Sequence, residues 1–208
     1  MARDRATVFV VDDDEAVRDS LCRLFSSVGL TANAFSSGEM FLSSYEPGDA
    51  GCLLIDLRMP GKNAFDVQRV LTERAIGLPV IFITGHGDVE TGVRAMKAGA
   101  FDFIEKPFRD QVLLELVQKA IGQSVDELKN GAAIQEIQQD FGRLTARERQ
   151  VLDGVVAGEP NKRIAHALGM SEKTVEYHRS NLMKKTRARS LADLIKKALR
   201  VLPPAPNR

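Results

Sequence analysis

Five short apolar runs alternating with helical stretches constrain this chain more than anything else in its sequence. The runs are Thr7–Val11, Thr31–Phe35, Cys52–Ile55, Val80–Ile83 and Phe101–Ile104, each short enough for a β-strand. Between and after them lie helical patterns over Asp14–Val28, Gly38–Tyr45, Ala64–Ala75, Asp88–Lys97 and Arg109–Ile121. In the first of these, Val17, Leu21, Leu24 and Phe25 share a face, and Asp14 is placed to cap its start. Alternation at this spacing predicts an α/β domain with a five-stranded, parallel, doubly wound sheet. The uninterrupted apolar run Cys-Leu-Leu-Ile fits a strand covered on both faces.

The pattern changes downstream. Residues 123–142 are polar and Gln-rich with a thin apolar stripe, which reads as a helical linker between a first domain (1–122) and a second (143–208). From Leu144 only helical patterns occur: Thr145–Ala157, Asn161–Leu168, Ser171–Lys185 and Ser190–Leu202. Gly158 and Gly169 punctuate them, and Pro203-Pro204 stops them. Thr145 and Glu148 have the spacing of a capping box.

Charge divides with the pattern. Residues 1–142 carry 14 Lys and Arg against 22 Asp and Glu, a net of −8. Residues 143–208 carry 15 against 6, a net of +9. An acidic module followed by a basic one predicts different partners for each, with nucleic acid the candidate for the second. No apolar run reaches the roughly 20 residues of a membrane helix, and the N-terminus has no signal-peptide core, so a cytoplasmic protein with no membrane partner is expected. Cys22 and Cys52 stand apart, as buried reduced thiols would.

Polar groups mark the ends of four apolar runs: Asp12 and Asp13, Asp56, Thr84, and Lys106-Pro107. In a parallel α/β sheet these strand ends share one rim, where such folds bind ligands. Asp12, Asp13 and Asp56 offer the hard oxygen donors that Mg²⁺ (or Mn²⁺) prefers. An Asp carboxylate can also act as a nucleophile, forming an aspartyl phosphate. Lys106 would neutralise charge on the transferring group, and Thr84 would donate to one of its oxygens. Any one of these signals alone is more often a turn or a cap, whereas four at successive strand ends are hard to explain that way. Asp14 stays a cap and His86 a loop residue.

The motifs V-F-V-V-D-D-D, L-I-D-L-R-M-P-G, I-T-G-H-G-D and I-E-K-P-F resemble the receiver domain of two-component response regulators, over about residues 5–122. The resemblance implies strand order 2-1-3-4-5, as in flavodoxin-like folds, and phosphorylation of Asp56 by a histidine kinase. It implies Mg²⁺ held by Asp12, Asp13, Asp56 and the backbone carbonyl of Arg58. Thr84 and Phe103 would move on phosphorylation, Lys106 would pair with the phosphoryl group, and the Lys106–Pro107 bond would be cis.

The terminal segment has helix-turn-helix logic of its own. Ile164, Ala165 and Leu168 face inward on a scaffold helix, Gly169 makes the turn and Ser171 caps a second helix. On that helix Val175, Leu182 and Met183 face the core, while Lys173, Glu176, Tyr177, Arg179 and Ser180 face out. His178 reads as a packed structural residue, and Lys184, Lys185, Arg187 and Arg189 as either phosphate contacts or a solvated face. The segment resembles the LuxR/NarL-type effector domain over about residues 143–202, and the combination resembles the FixJ-like subgroup. By matching positions, Glu176, Tyr177 and Ser180 would face bases, and Lys162, Lys173, Thr174 and Arg179 phosphates. The expectation is a transcriptional regulator, an activator, binding double-stranded promoter DNA as a homodimer through the Asp88–Ile121 face and acting on RNA polymerase. Two rivals remain: a haloacid-dehalogenase-like phosphatase using Asp12 and Asp14, and a DNA-binding protein with a vestigial receiver.

Overall fold

The computed structural model describes residues 6–59, 64–85 and 89–202, with the side chains of residues 89–91 left aside. The expectations for His86, Asp88 and Pro203-Pro204 fall outside the described residues. The chain forms two compact units, residues 1–129 and 130–208.

In the first unit the alternation becomes β1 (Thr7–Val11), α1 (Glu15–Ser27), β2 (Thr31–Phe35), α2 (Gly38–Ser44), β3 (Gly51–Asp56), α3 (Ala64–Glu73), β4 (Val80–Thr84), α4 (Val89–Lys97), β5 (Asp102–Glu105) and α5 (Asp110–Gly142). All neighbouring strands pair in parallel, in the order β2-β1-β3-β4-β5. Asp14 caps α1, its carboxylate accepting from the Ala16 N–H at 2.8 Å. That is the cap the sequence places there.

Alternate residues of β1, β3 and β4 feed opposite layers, because strand side chains alternate between faces. Val8, Val10, Cys52, Leu54, Ile81 and Ile83 pack with α1 and α5. Val11, Leu53, Ile55, Val80 and Phe82 pack with α2, α3 and α4. Burial on both faces explains why β3 and β4 read as unbroken apolar runs. Cys52 lies in this core as a free thiol, its pKa pushed up to about 12 by burial.

Helix α5 runs 33 residues without interruption, through Gly122 and Gly131, so the stretch that the sequence reads as a helical linker is helical and continues the helix before it. Its N-terminal part supplies Leu113, Val117, Ile121 and Val125 to the first unit's core. Ile137 and Phe141 belong to the core of the second unit.

That second core is completed by α6 (Ala146–Val156), α7 (Asn161–Leu168), α8 (Glu172–Lys185) and α9 (Leu191–Val201). Thr145 and Glu148 form the anticipated capping box. Glu148 is also buried at 3% exposure and accepts from the Lys185 ammonium at 2.7 Å. Burial opposes its ionisation, but the Lys185 bond and the two Thr145 bonds outweigh it and hold the carboxyl below the ordinary glutamate range. A depressed carboxyl stabilises the fold fully above its unfolded value, and that contribution is lost as pH falls through the folded one. The second unit is therefore expected to lose stability on acidification below the ordinary glutamate range. Glu148→Gln should lower its melting temperature at neutral pH and flatten the acid limb. A variant curve parallel to wild type would show that Glu148 titrates normally.

Candidate functional site

The parallel register carries the polar strand ends to one rim. Val11 lies beside Ile55, Asp56 beside Ile83, and Thr84 beside Glu105. Asp12 and Asp13 leave β1 directly above Asp56, while Lys106 follows β5. Asp12, Asp56 and Thr84 are buried at 1, 7 and 3% exposure, and Asp13 is open to solvent.

The distances make this one site. Single carboxylate oxygens of Asp12, Asp13 and Asp56 all lie within 4.8 Å of one another. The Lys106 ammonium donates to Asp12 Oδ2 at 2.9 Å and reaches Asp56 Oδ1 at 3.4 Å. Asp12 Oδ1 accepts from the Asp14 N–H at 2.9 Å, and Arg18 Nη1 donates to the Asp12 carbonyl at 2.8 Å. The Asp12 carboxylate is thus anchored at both oxygens while Asp13 keeps its freedom. Hard, clustered oxygen donors with one solvent-facing member suit a small divalent cation that retains water, such as Mg²⁺.

Burial pushes the Asp56 carboxyl above its ordinary value; Lys106 pulls it down, Asp12 pushes it up, and the Arg58 backbone N–H pulls it down, leaving a net rise. For Lys106, burial opposes the charge, but bonds to Asp12 and then Asp56 raise its pKa overall, so it stays cationic. A buried carboxylate facing an ammonium and two further carboxylates carries a charge that needs a cation to be compatible with an incoming anion.

Phe103, on β5, is half-buried, and its ring lies against α4: a Cβ built on Gly92 would approach Phe103 Cζ at 2.7 Å. The Lys106–Pro107 bond is cis.

In the second unit α7 and α8 form the helix-turn-helix pair. Gly169 turns the chain with φ 63°, in the left-handed region that favours glycine, and Ser171 caps α8. Val175 and Leu182 are buried and Met183 packs beside them. Lys162, Lys173, Glu176, Tyr177 and Ser180 are exposed, Tyr177 to 64%. Thr174 is half-buried, its hydroxyl 2.8 Å from that of Ser171. Arg179 is half-buried and donates to Asn161 Oδ1 at 3.0 Å. His178 buries its Nδ1 without a hydrogen-bond partner.

The cations at the end of α8 divide. Lys185 is taken by Glu148 and the Arg143 carbonyl, and Arg187 by Glu136 and Asp140 of α5. Lys184 and Arg189 remain exposed. Sequence reasoning did not single out Arg18, Asn161 or the structural use of Arg187. Only Glu148 carried a local signal, through its capping-box spacing.

An acidic pocket at the strand ends of a 2-1-3-4-5 sheet, joined in one chain to a helix-turn-helix unit, defines a receiver-coupled regulator. Comparison with known proteins agrees. The family model "Response regulator receiver domain" matches residues 8–118, and "Bacterial regulatory proteins, luxR family" matches residues 143–198. Nodulation protein W of Bradyrhizobium diazoefficiens is 46% identical over 94% of this chain and 86% of its own. Transcriptional regulatory protein FixJ of Rhizobium meliloti is 45% identical over 93% and 95%. The solved structure of response regulator StyR covers 94% of this chain and 98% of its own at 42% identity, with a TM-score of 0.83. Full-length FixJ from B. japonicum gives 0.58 at 39% identity, covering 94% and 97%. The chain belongs to the FixJ-like two-component response regulators with a LuxR-type DNA-binding domain. It is a transcription regulator rather than an enzyme, which disposes of the phosphatase reading. Among the described residues no helix is long and apolar enough to cross a membrane.

Proposed function

We propose that Asp56 accepts a phosphoryl group from a histidine kinase and that this controls DNA binding by residues 143–208, with 1–122 the receiver and 123–142 the connection. The observation that carries the reading is the Lys106 ammonium spanning Asp12 and Asp56, with Asp13 within 4.8 Å of both. An Asp56 oxygen attacks phosphorus as the phosphohistidine P–N bond breaks, and imidazole leaves. Asp12, Asp13, Asp56 and the Arg58 carbonyl would hold Mg²⁺, which supplies charge neutralisation on the phosphoryl oxygens. Lys106 pairs with the phosphoryl group once Asp56 is phosphorylated, and the Thr84 hydroxyl donates to it.

Thr84 and Phe103 then shift, and the α4–β5–α5 face they adjoin (Asp88–Ile121) becomes a homodimer surface. Val93 and Met96 are 47 and 48% exposed there, apolar area that a second copy would cover. Two copies present two α8 helices to promoter half-sites about 34–36 Å apart. Glu176, Tyr177 and Ser180 meet bases, and Lys162, Lys173, Thr174 and Arg179 meet phosphates. Activation of transcription would proceed through RNA polymerase, in the cytoplasm. The phosphoryl group acts by favouring the dimer-competent state over the inactive one.

Light scattering on the intact chain, with and without beryllofluoride and Mg²⁺, tests the coupling. The expected result is a doubling of mass with the phosphoryl mimic. An unchanged mass at full occupancy of Asp56 would mean that the signal acts within one molecule.

A further inference from the structure

Between α7 and α8 lies a side-chain bond that neither caps a helix nor closes the core. We infer from it that Asn161 is a positioning residue for DNA binding, holding Arg179 in the orientation in which it meets a backbone phosphate. The inference rests on the reading of Arg179 as a phosphate contact.

Asn161 opens α7, after Pro160, an N-cap that makes no side-chain capping bond. Asn is a favoured capping residue, yet here the side chain turns away from its own helix and accepts from Arg179 Nη1 at 3.0 Å, across 18 residues of sequence. Both residues are half-buried, so the bond forms at the edge of the α7–α8 contact rather than in open solvent.

The choice of a neutral acceptor has a consequence. Lys185, at the far end of α8, and Arg187, just past it, are held by carboxylates, so their charges are already balanced. Among the described residues no carboxylate forms an ion pair with Arg179; an amide oxygen fixes one guanidinium nitrogen and leaves the full positive charge. Arginine otherwise loses much of its rotamer freedom when a ligand immobilises it. A prior bond to Asn161 reduces that loss and leaves the remaining N–H groups for phosphate oxygens. Asp at 161 would hold Arg179 as firmly but cancel its charge.

The test uses the intact chain with beryllofluoride and Mg²⁺, and a duplex selected by the wild-type protein from a random-sequence pool. Affinity is followed by fluorescence anisotropy across a series of KCl concentrations. Arg179→Ala should weaken binding at all sequences and reduce the salt slope by about one unit. Asn161→Ala should weaken it about three- to tenfold, with base preference and melting temperature unchanged, and should cost nothing further in the Arg179→Ala background. Asn161→Asp should lower the salt slope as Arg179→Ala does while keeping the fold. Equal losses from Asn161→Ala in both backgrounds, or an altered base preference, would overturn the positioning role while leaving Arg179 a phosphate contact. An inert Arg179→Ala would overturn both.

Discussion

Asp56→Asn is expected to abolish labelling by acetyl phosphate or phosphoramidate while raising the melting temperature of the metal-free protein. Both effects come from the same geometry. Asp56 is the carboxylate buried between Asp12, Asp13 and Lys106, and amide nitrogen and oxygen are far poorer nucleophiles than a carboxylate. Three carboxylates within 4.8 Å repel one another, and one ammonium cannot balance them. Removing one charge relieves that repulsion, and the amide still offers Lys106 an acceptor. Mg²⁺ should stabilise the wild-type protein by binding the folded state and stabilise the variant far less. The measurements are phosphoprotein mass spectrometry and thermal melts with and without Mg²⁺. Labelling that survives in Asp56→Asn would place the phosphoacceptor elsewhere, and a lowered melting point would show the acidic cluster to be stabilising.

Gly51→Ala is expected to destabilise the first unit by about 3 kcal/mol or more, the upper end of overpacking costs, because the clash is with backbone. Gly51 opens β3 opposite Thr7 of β1 and donates its N–H to the Ser124 hydroxyl of α5 at 3.1 Å. A Cβ at this position would collide with the Thr7 carbonyl oxygen and lie 3.3 Å from the Phe9 ring. The strand ends that carry Asp12 and Asp56 depend on this pairing, so phosphoacceptor activity should fall with stability. The core of the second unit contains no residue of β1 or β3. Calorimetry should therefore show one transition moving down and one holding its place, and limited proteolysis should spare residues 130–202. Wild-type melting in Gly51→Ala would mean that the β1–β3 contact at this end is looser than described.

The strands and the rim residues were legible in the sequence because their constraints are local and chemical. A strand buried on both faces must be apolar throughout, as Cys52–Ile55 and Val80–Ile83 are, and a polar residue at its end therefore stands out. The helix-turn-helix pair was legible for a similar reason, since Gly169 and Ser171 carry turn and cap signals. The course of α5 was legible only in part: residues 123–142 read as helical, but their continuity with the helix before them did not show. Gly costs a helix about 1 kcal/mol relative to Ala, so Gly131 reads as an interruption. Packing of Val125 on one side and Ile137 and Phe141 on the other outweighs that cost, and tertiary contacts leave no trace in local propensity. The partners of Arg187 and Arg179 were hidden likewise. Glu136 and Asn161 lie 51 and 18 residues away from them, and a surface cation looks the same whether it will meet DNA or a carboxylate.

The second unit takes part of its core from α5, which sets where this protein divides into heritable pieces. A recombination event that grafted residues 143–208 onto another receiver would leave Ile137 and Phe141 behind and open the core they fill. Joined instead near residue 130, the graft would carry them along, together with the acidic residues that hold Arg187. Selection among shuffled regulators of this design should therefore favour crossovers inside the helix over crossovers in the more obvious joint that follows it.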